Sequence, residues 1–268
     1  MRGAFDKIGV HRSARDKRSL SHAQFEGDRL LPNPISIRLF APPDIVQTSA
    51  LHLRELPDDF VTQFGERFLA RCHQAFAESP YAMVIVANDY ATGRVVGALL
   101  GTLDAPAHYR WLVRHHGAEL ALRGASRAIL HPSLGRDLVG TRVDRYARGI
   151  VRALIPKQPS GERKDSLPRR VGLLAHVMVA GDYHRCGIGS SLVAAYEIRA
   201  KYAGLDQLEL ATLPDGWGAG PFYERIGWKH GGERMRKSGE RVTLYYRMLP
   251  KDVEHDEEKA THRRRREH

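Results

Sequence analysis

The chain holds two cysteines, Cys72 and Cys186, in 268 residues. That is too few for a disulfide framework or for a zinc site of the usual kind, and it suits a reducing cytoplasm, the expected location. No apolar run approaches the roughly 20 residues of a membrane helix, and the first thirty residues have no apolar core of signal-peptide length. A soluble protein is expected, one still able to lie against a surface. Two familiar nucleotide signatures are also missing. The stretch around Gly187 and Gly189 lacks the third glycine of the dinucleotide fingerprint, and no Lys-Ser/Thr pair follows Gly189 as a P-loop requires. Acidic residues are the minority, 31 against 42 Lys and Arg, which leaves a net charge of +11 and a pI near 9.9. This balance favours anionic partners such as phosphates, nucleic acid or lipid headgroups.

What is present centres on residues 171–200, VGLLAHVMVAGDYHRCGIGSSLVAAYEIRA. Leu173 to Val179 is a short apolar run rich in β-branched residues and bounded by Gly181 and Asp182; its length predicts a strand buried on both faces. After Gly189 the period becomes helical, with Leu192, Val193, Tyr196 and Ile198 on an Ala-rich background. Between strand and helix, Gly187 and Gly189 allow a sharp turn and close approach of a ligand to the backbone. The helix start leaves N–H groups without intrahelical partners, so the turn is suited to a phosphate or pyrophosphate. A tight βα turn with no ligand gives the same G-x-G pattern.

A second block, LDQLELATLPDGWGAGPFYERIGWKH at residues 205–230, reads as a strand (Leu208 to Leu213), a Gly/Pro-rich turn, a short helix around Phe222 and Tyr223, and a re-entrant strand at Trp228. Together the two blocks resemble the GNAT superfamily of acyl-CoA-dependent N-acyltransferases. VMVAGDYHRCGIGSSLV is similar to its motif A, [Q/R]-x-x-G-x-[G/A], with His184 in the first position. The second block is similar to its motif B, where Ala219, Tyr223, Glu224, Arg225, Gly227 and Trp228 stand at matching positions and Gly216 replaces an Asn. The resemblance covers about residues 36–103 and 171–249.

In chain order, residues 1–34 are basic and aperiodic and are expected to form a disordered tail. ISIRLF, 35–40, predicts the first strand, ended by Pro42-Pro43. Residues 56–79 show helical spacing, with Asp58 placed as a cap. Residues 81–103 predict an antiparallel hairpin with its loop at Asn88 to Gly93. From Asp104 to Arg170 an insertion carries 14 Lys and Arg against 6 Asp and Glu, most of the whole chain's excess. Two amphipathic helices are legible in it, Tyr109 to Leu130 and Leu134 to Ile155, followed by a polar linker from Pro156 to Pro168. Arg142, Arg145, Arg148 and Arg152 on the second helix read either as a solvated face or as a lid or platform for an anionic substrate or membrane surface. GERVTLYYRML predicts a last strand with Val242, Leu244 and Tyr246 alternating, and residues 250–268 a charged disordered tail.

The expected architecture is therefore an α/β (α+β mixed) domain over 35–249: a GNAT-like twisted sheet of six to seven strands flanked by helices, with the helical insertion 104–170 between the third and fourth strands. A content of 42% apolar residues is enough for its core. The resemblance implies acetyl-CoA as co-substrate and no metal. It implies contacts to acyl-CoA from Val177, Met178 and Val179 on the strand, from His184, Arg185, Cys186, Gly187, Ile188, Gly189 and Ser190 in the turn, and from Ala219 and Phe222 in motif B. Arg185 reads equally as a solvated arginine, and Asp182 as a turn residue. The resemblance also places a general acid at Tyr223; an ordinary buried tyrosine is the other reading. For the base, family members often use a Glu on the motif A strand, and none stands between Gly172 and Gly181. His176 is the ionisable residue there, and it reads either as a base or as a structural histidine. The function expected is transfer of an acetyl or other short acyl group from acyl-CoA to a primary amine of a small molecule, with an anionic acceptor hinted by the basic insertion. A protein lysine, an N-terminus or a hydroxyl is the alternative acceptor. From another class, a non-catalytic acyl-CoA sensor would dock its basic insertion and tails on nucleic acid or anionic lipid. A homodimer is compatible with either.

Overall fold

A computed structural model describes residues 34–130, 169–213, 219–235 and 241–250, without the side chains of 60 and 126–130. The predicted tails, the second insertion helix and the linker after it lie outside these residues.

Seven strands form one mixed sheet, β1 (Ile35–Leu39), β2 (Ala82–Asp89), β3 (Val95–Thr102), β4 (Val171–Val179), β5 (Gln207–Thr212), β6 (Lys229–Met235) and β7 (Arg241–Met248), in the order β1-β2-β3-β4-β5-β7-β6. All neighbours are antiparallel except β4 and β5. The helices are α1 (Ile45–Glu55), α2 (Glu66–Glu78), α3 (Ala105–Leu130), α4 (Ile188–Tyr202) and α5 (Ala219–Arg225). The mixed α/β sheet of seven strands is as expected, and α3 is the helix expected at the start of the insertion between its third and fourth strands.

β3 is buried at every position, and its two glycines explain how the helix after the G-x-G turn sits on it. A Cβ on Gly97 would meet Ile188 and Leu192 at 3.0 and 3.1 Å, and one on Gly101 would lie 2.5 Å from the Tyr196 ring. Side chains of α4 thus fill the groove that the glycines leave, and the Tyr196 hydroxyl donates to the Thr102 carbonyl at 2.7 Å. The buried face of α4 is Ile188, Leu192, Val193, Ala195, Tyr196, Arg199 and Ala200; Ile198, expected on it, is only half-buried. Along β7 the buried positions are Val242, Thr243 and Tyr245, so Leu244 and Tyr246 fall on the half-covered side.

The segment before β2 differs from its expected single helix. α1 was not legible because the face it buries is polar: Thr48, Ser49 and His52 beside Leu51. Thr48 and Ser49 return their hydroxyls to the helix's own carbonyls at Asp44 and Val46, which lets them be buried without other partners. The periodic stretch after it is broken at Gly65, whose φ of 84° ends a short 3-10 turn (Phe60–Phe64) before α2 starts. Asp58 caps nothing and lies exposed in the turn. α3 begins four residues earlier than the periodicity indicated, because Asp104 accepts the Ala107 N–H at 2.9 Å and Pro106 occupies the first turn. Arg71 then ties α3 to α2 through Glu119 at 2.7 Å and His116 at 2.7 Å.

Gly172 marks where β4 is most tightly enclosed. A Cβ there would stand 2.5 Å from Leu205, 2.8 Å from Leu208 and 2.8 Å from the Thr102 carbonyl oxygen. Gly172→Ala is therefore expected to cost about 1–3 kcal/mol in urea unfolding, since a backbone atom blocks relaxation; an unchanged midpoint would contradict this packing.

Candidate active site

β4 and β5 pair only through Val171–Leu173 and Gln207–Glu209. Beyond that point the β5-facing edge of β4 has no strand beside it among the described residues, and Leu174 to Val179 border an opening in the sheet. β4 is half-buried along much of its length, in place of the two-sided burial expected for it.

Ala175 decides where His176 points. Gly101 pairs with Leu174 and Leu100 with His176, so Ala175 is the extra residue of a β-bulge. Leu174 shares the face of Gly101, which is covered by Tyr196 of α4. Strict alternation would put His176 on that same face. The bulge restarts the alternation, leaving Val177 and Val179 on the α4 side and turning His176 and Met178 towards α1 and α2.

There His176, with its side chain 30% exposed, meets Asp59, 21% exposed, at 3.7 Å from Nδ1 to Oδ2. Asp59 also receives the Nε2–H of His52 at 3.0 Å, and the other nitrogen of His52 lies 2.9 Å from Nε2 of His73 on α2. The rings of His52 and His176 are 4.9 Å apart. His52, Asp59 and His176 each bring one donor atom, all within 4.8 Å of one another, which is the composition of a cation site. Both nitrogens of His52 are already engaged by hydrogen bonds, so the cluster is read as a network of proton donors and acceptors.

Withdrawal from water pushes His176 down to about 4, Asp59 opposing and His52 adding to the effect. It is thus a neutral imidazole at neutral pH. Burial brings His73 to about 3, with the neighbouring His52 and His176 reinforcing it, and brings His108 to about 4. Unfolded, each would titrate near 6.5. A depressed folded value means that the unfolded chain binds the proton first. Stability is therefore complete above about pH 6.5 and is lost as pH falls towards 4, at up to about 1.4 kcal/mol per pH unit for each histidine. Urea midpoints at pH 7 and pH 5 should differ in that direction; equal midpoints would show that these histidines are not held neutral.

At the other end of β4 lies the G-x-G turn. Gly187, with φ of 80°, precedes α4, whose first hydrogen bond runs from the Ser191 N–H to the Gly187 carbonyl at 3.0 Å. No backbone N–H from Arg185 to Ser190 donates to a described residue, so six successive donors stand at the positive end of the helix. The amide of His184, expected among them, is bound to the Gly181 carbonyl at 3.1 Å instead. The His184 ring donates from Nε2 to the Val179 carbonyl at 2.8 Å, tying the turn to the end of β4. Arg185 is exposed with φ of 61°, and Cys186 is half-buried with its thiol 3.5 Å from the His184 carbonyl. The Tyr183 hydroxyl donates to Asp89 at 2.6 Å and anchors the turn to the β2–β3 hairpin.

Motif B folds back onto this turn. The Phe222 ring lies 3.3 Å from where a Cβ on Gly189 would be, so α5 closes over the start of α4. Ala219, at the start of α5, packs on the same core. Tyr223 is 7% exposed among Phe222, Trp228 and Tyr245. Burial raises its phenol above the ordinary value, which keeps it protonated. Its hydroxyl has no hydrogen-bond partner among the described residues. Tyr223 and His176 are not in hydrogen-bond contact; one follows β5 and the other looks out from β4.

Residues 134–228 match a family model described as the acetyltransferase (GNAT) family, a span that includes the first glycine-bearing block and the second as far as Trp228. Over residues 134–228 the chain carries a match to a GNAT-family domain. Acetyl-CoA is the co-substrate of that family. None of the curated proteins compared with the chain matches it. Among solved structures it is similar to an acetyltransferase of the GNAT family from Streptococcus pneumoniae, at 16% identity over 81% of this chain and 99% of that one, with a TM-score of 0.47. It is also similar to Ard1 from Thermoplasma volcanium, at 14% identity over 81% and 99% with a TM-score of 0.47. A third is a ribosomal-protein-S5-alanine acetyltransferase from Vibrio fischeri, at 11% over 80% and 93% with a TM-score of 0.45. No described helix is long and apolar enough to cross a membrane.

His176 and the G-x-G turn were legible before the fold was known. His52, Asp59 and His73 were not. The two histidines sit at ordinary helical positions, and nothing in the spacing of the three residues shows that α1 and α2 converge on β4.

Proposed function

We propose that the GNAT-family domain transfers an acetyl or other short acyl group from acyl-CoA to a primary amine of a small molecule by direct attack. The observation that carries this reading is the opening of β4 from β5 beyond Leu173 and Glu209, with free N–H groups at its mouth and an imidazole beneath. The diphosphate of the donor takes the amides from Arg185 to Ser190, and the pantetheine lies along the free edge of Val177, Met178 and Val179 as an added strand would.

The amine nitrogen then attacks the thioester carbonyl, forming the new C–N bond. Once it has done so it is positively charged and sheds its proton readily, to Nε2 of His176. The carbon–sulfur bond breaks, and the departing thiolate takes the proton of the Tyr223 hydroxyl, which recovers one from water. Direct attack needs no covalent enzyme intermediate, so Cys186 has no role as nucleophile. With Asp59 beside His176, an amine suits that spot and a phosphate does not; a negative charge on the acceptor would have to lie elsewhere.

The test is a panel of amines, aminosugars and peptides incubated with acetyl-CoA, followed by thiol release and mass spectrometry of the product. Amine-dependent release is expected. Binding of CoA without turnover across the panel, with salt-sensitive retention on DNA or anionic vesicles, would replace catalysis by a sensor role.

A further inference from the structure

Beyond the base itself, we infer that Asp59 is a positioning residue for His176, and that His52 and His73 form a one-directional hydrogen-bond chain that holds Asp59 in place. The inference rests on the proposed role of His176, but its first test does not need that role to be right.

The direction of the chain follows from donor and acceptor counting. A carboxylate only accepts, so the hydrogen of the His52–Asp59 bond belongs to Nε2 of His52. A neutral His52 then has a bare Nδ1, and the hydrogen in its bond to His73 comes from Nε2 of His73. This leaves Nδ1 of His73 without a hydrogen, and that atom is buried with no partner among the described residues. An unfilled acceptor there costs less than the stranded N–H which any other assignment requires. Every hydrogen in the chain therefore points towards Asp59. The backbone holds the same residue: the Asp59 N–H donates to the Leu56 carbonyl at 3.1 Å, and its own carbonyl receives the Thr62 N–H at 3.1 Å and the Thr62 hydroxyl.

What Asp59 does for His176 follows from its charge. Its Oδ2 faces Nδ1 of His176 at 3.7 Å, longer than a hydrogen bond but close enough for the carboxylate's charge to act on the ring. The carboxylate thus selects the tautomer with hydrogen on Nδ1, leaving the lone pair on Nε2 to accept a proton, and it stabilises the imidazolium that forms. An isolated imidazole prefers the opposite tautomer. His52 and His73, which are buried, act on the tautomer of His176 through Asp59.

Nitrogen-15 NMR of the histidines in the full chain at pH 7 reads the tautomers directly, with the His176 signals assigned by their loss in His176→Asn. The expected result is hydrogen on Nδ1 of His176 and on Nε2 of His52 and His73 in the unaltered chain. Asp59→Asn should move His176 towards the Nε2–H form. His52→Gln, which keeps an N–H donor for Asp59, should preserve the Nδ1–H form, whereas His52→Leu should not. Where an amine from the panel is acetylated, Asp59→Asn should lower kcat by about 10- to 10³-fold and leave the KM for acetyl-CoA unchanged. Hydrogen on Nε2 of His176 in the unaltered chain, or a tautomer indifferent to Asp59→Asn, would overturn the inference. Full activity of His176→Asn would instead overturn the reading of His176 as the base, leaving the tautomer measurement to stand alone.

Discussion

Replacing His176 by Ala is expected to lower kcat for amine acetylation by about 10²- to 10⁴-fold, the usual contribution of a placed proton acceptor. The loss should fall on kcat and not on the KM for acetyl-CoA, because the imidazole stands on the α1–α2 side of the sheet, away from the turn offered to the diphosphate. Folding should survive, since the side chain is 30% exposed and packs at an opening. The histidine is built for acceptance: burial keeps it neutral at neutral pH, while Asp59 stabilises the charged form during the reaction. Steady-state rates with saturating acetyl-CoA decide the matter. A variant within about twofold of the unaltered chain would remove His176 from the mechanism.

Tyr223→Phe should have an effect of similar size, about 10²-fold or more on kcat, through loss of the proton that leaves with the thiolate. Phe keeps the contacts with Phe222, Trp228 and Tyr245, and none of the described residues loses a hydrogen bond, so the unfolding midpoint should hardly move. The effect should also shrink for acyl thioesters whose thiol is more acidic, since a better leaving group needs less help. An activity loss that matched a loss of stability, or that ignored the leaving group, would mark Tyr223 as a packing residue.

Much of this was legible in the residues alone, and where it was not the cause is specific. The strand, turn and helix from Val171 to Tyr202 could be read because an apolar, β-branched run and a glycine-bearing turn leave local marks. β2 and β3 could be read for the same reason. α1 could not, since burying Thr48, Ser49 and His52 inverts the pattern by which an amphipathic helix is recognised. The orientation of His176 was open for a different reason. Alternation along β4 assigns it to the α4 face, and the bulge at Ala175 overrides that assignment without any glycine or proline to announce it. Asp59 lay next to a residue read as a cap, but its partners come from α1 and β4, and only the folded chain brings them within reach.

The central claim is that the turn from Arg185 to Ser190 grips the diphosphate of acetyl-CoA. It is tested most directly by calorimetric titration of acetyl-CoA into the full chain and into Gly189→Val. The substituent would crowd Phe222, which already lies 3.3 Å from the position of a Cβ, and so disturb the turn that presents the amides. One saturable site per chain is predicted for the unaltered protein, weakened at least about tenfold in the variant. Absence of binding heat in the unaltered protein, or equal affinity in both, would contradict the account.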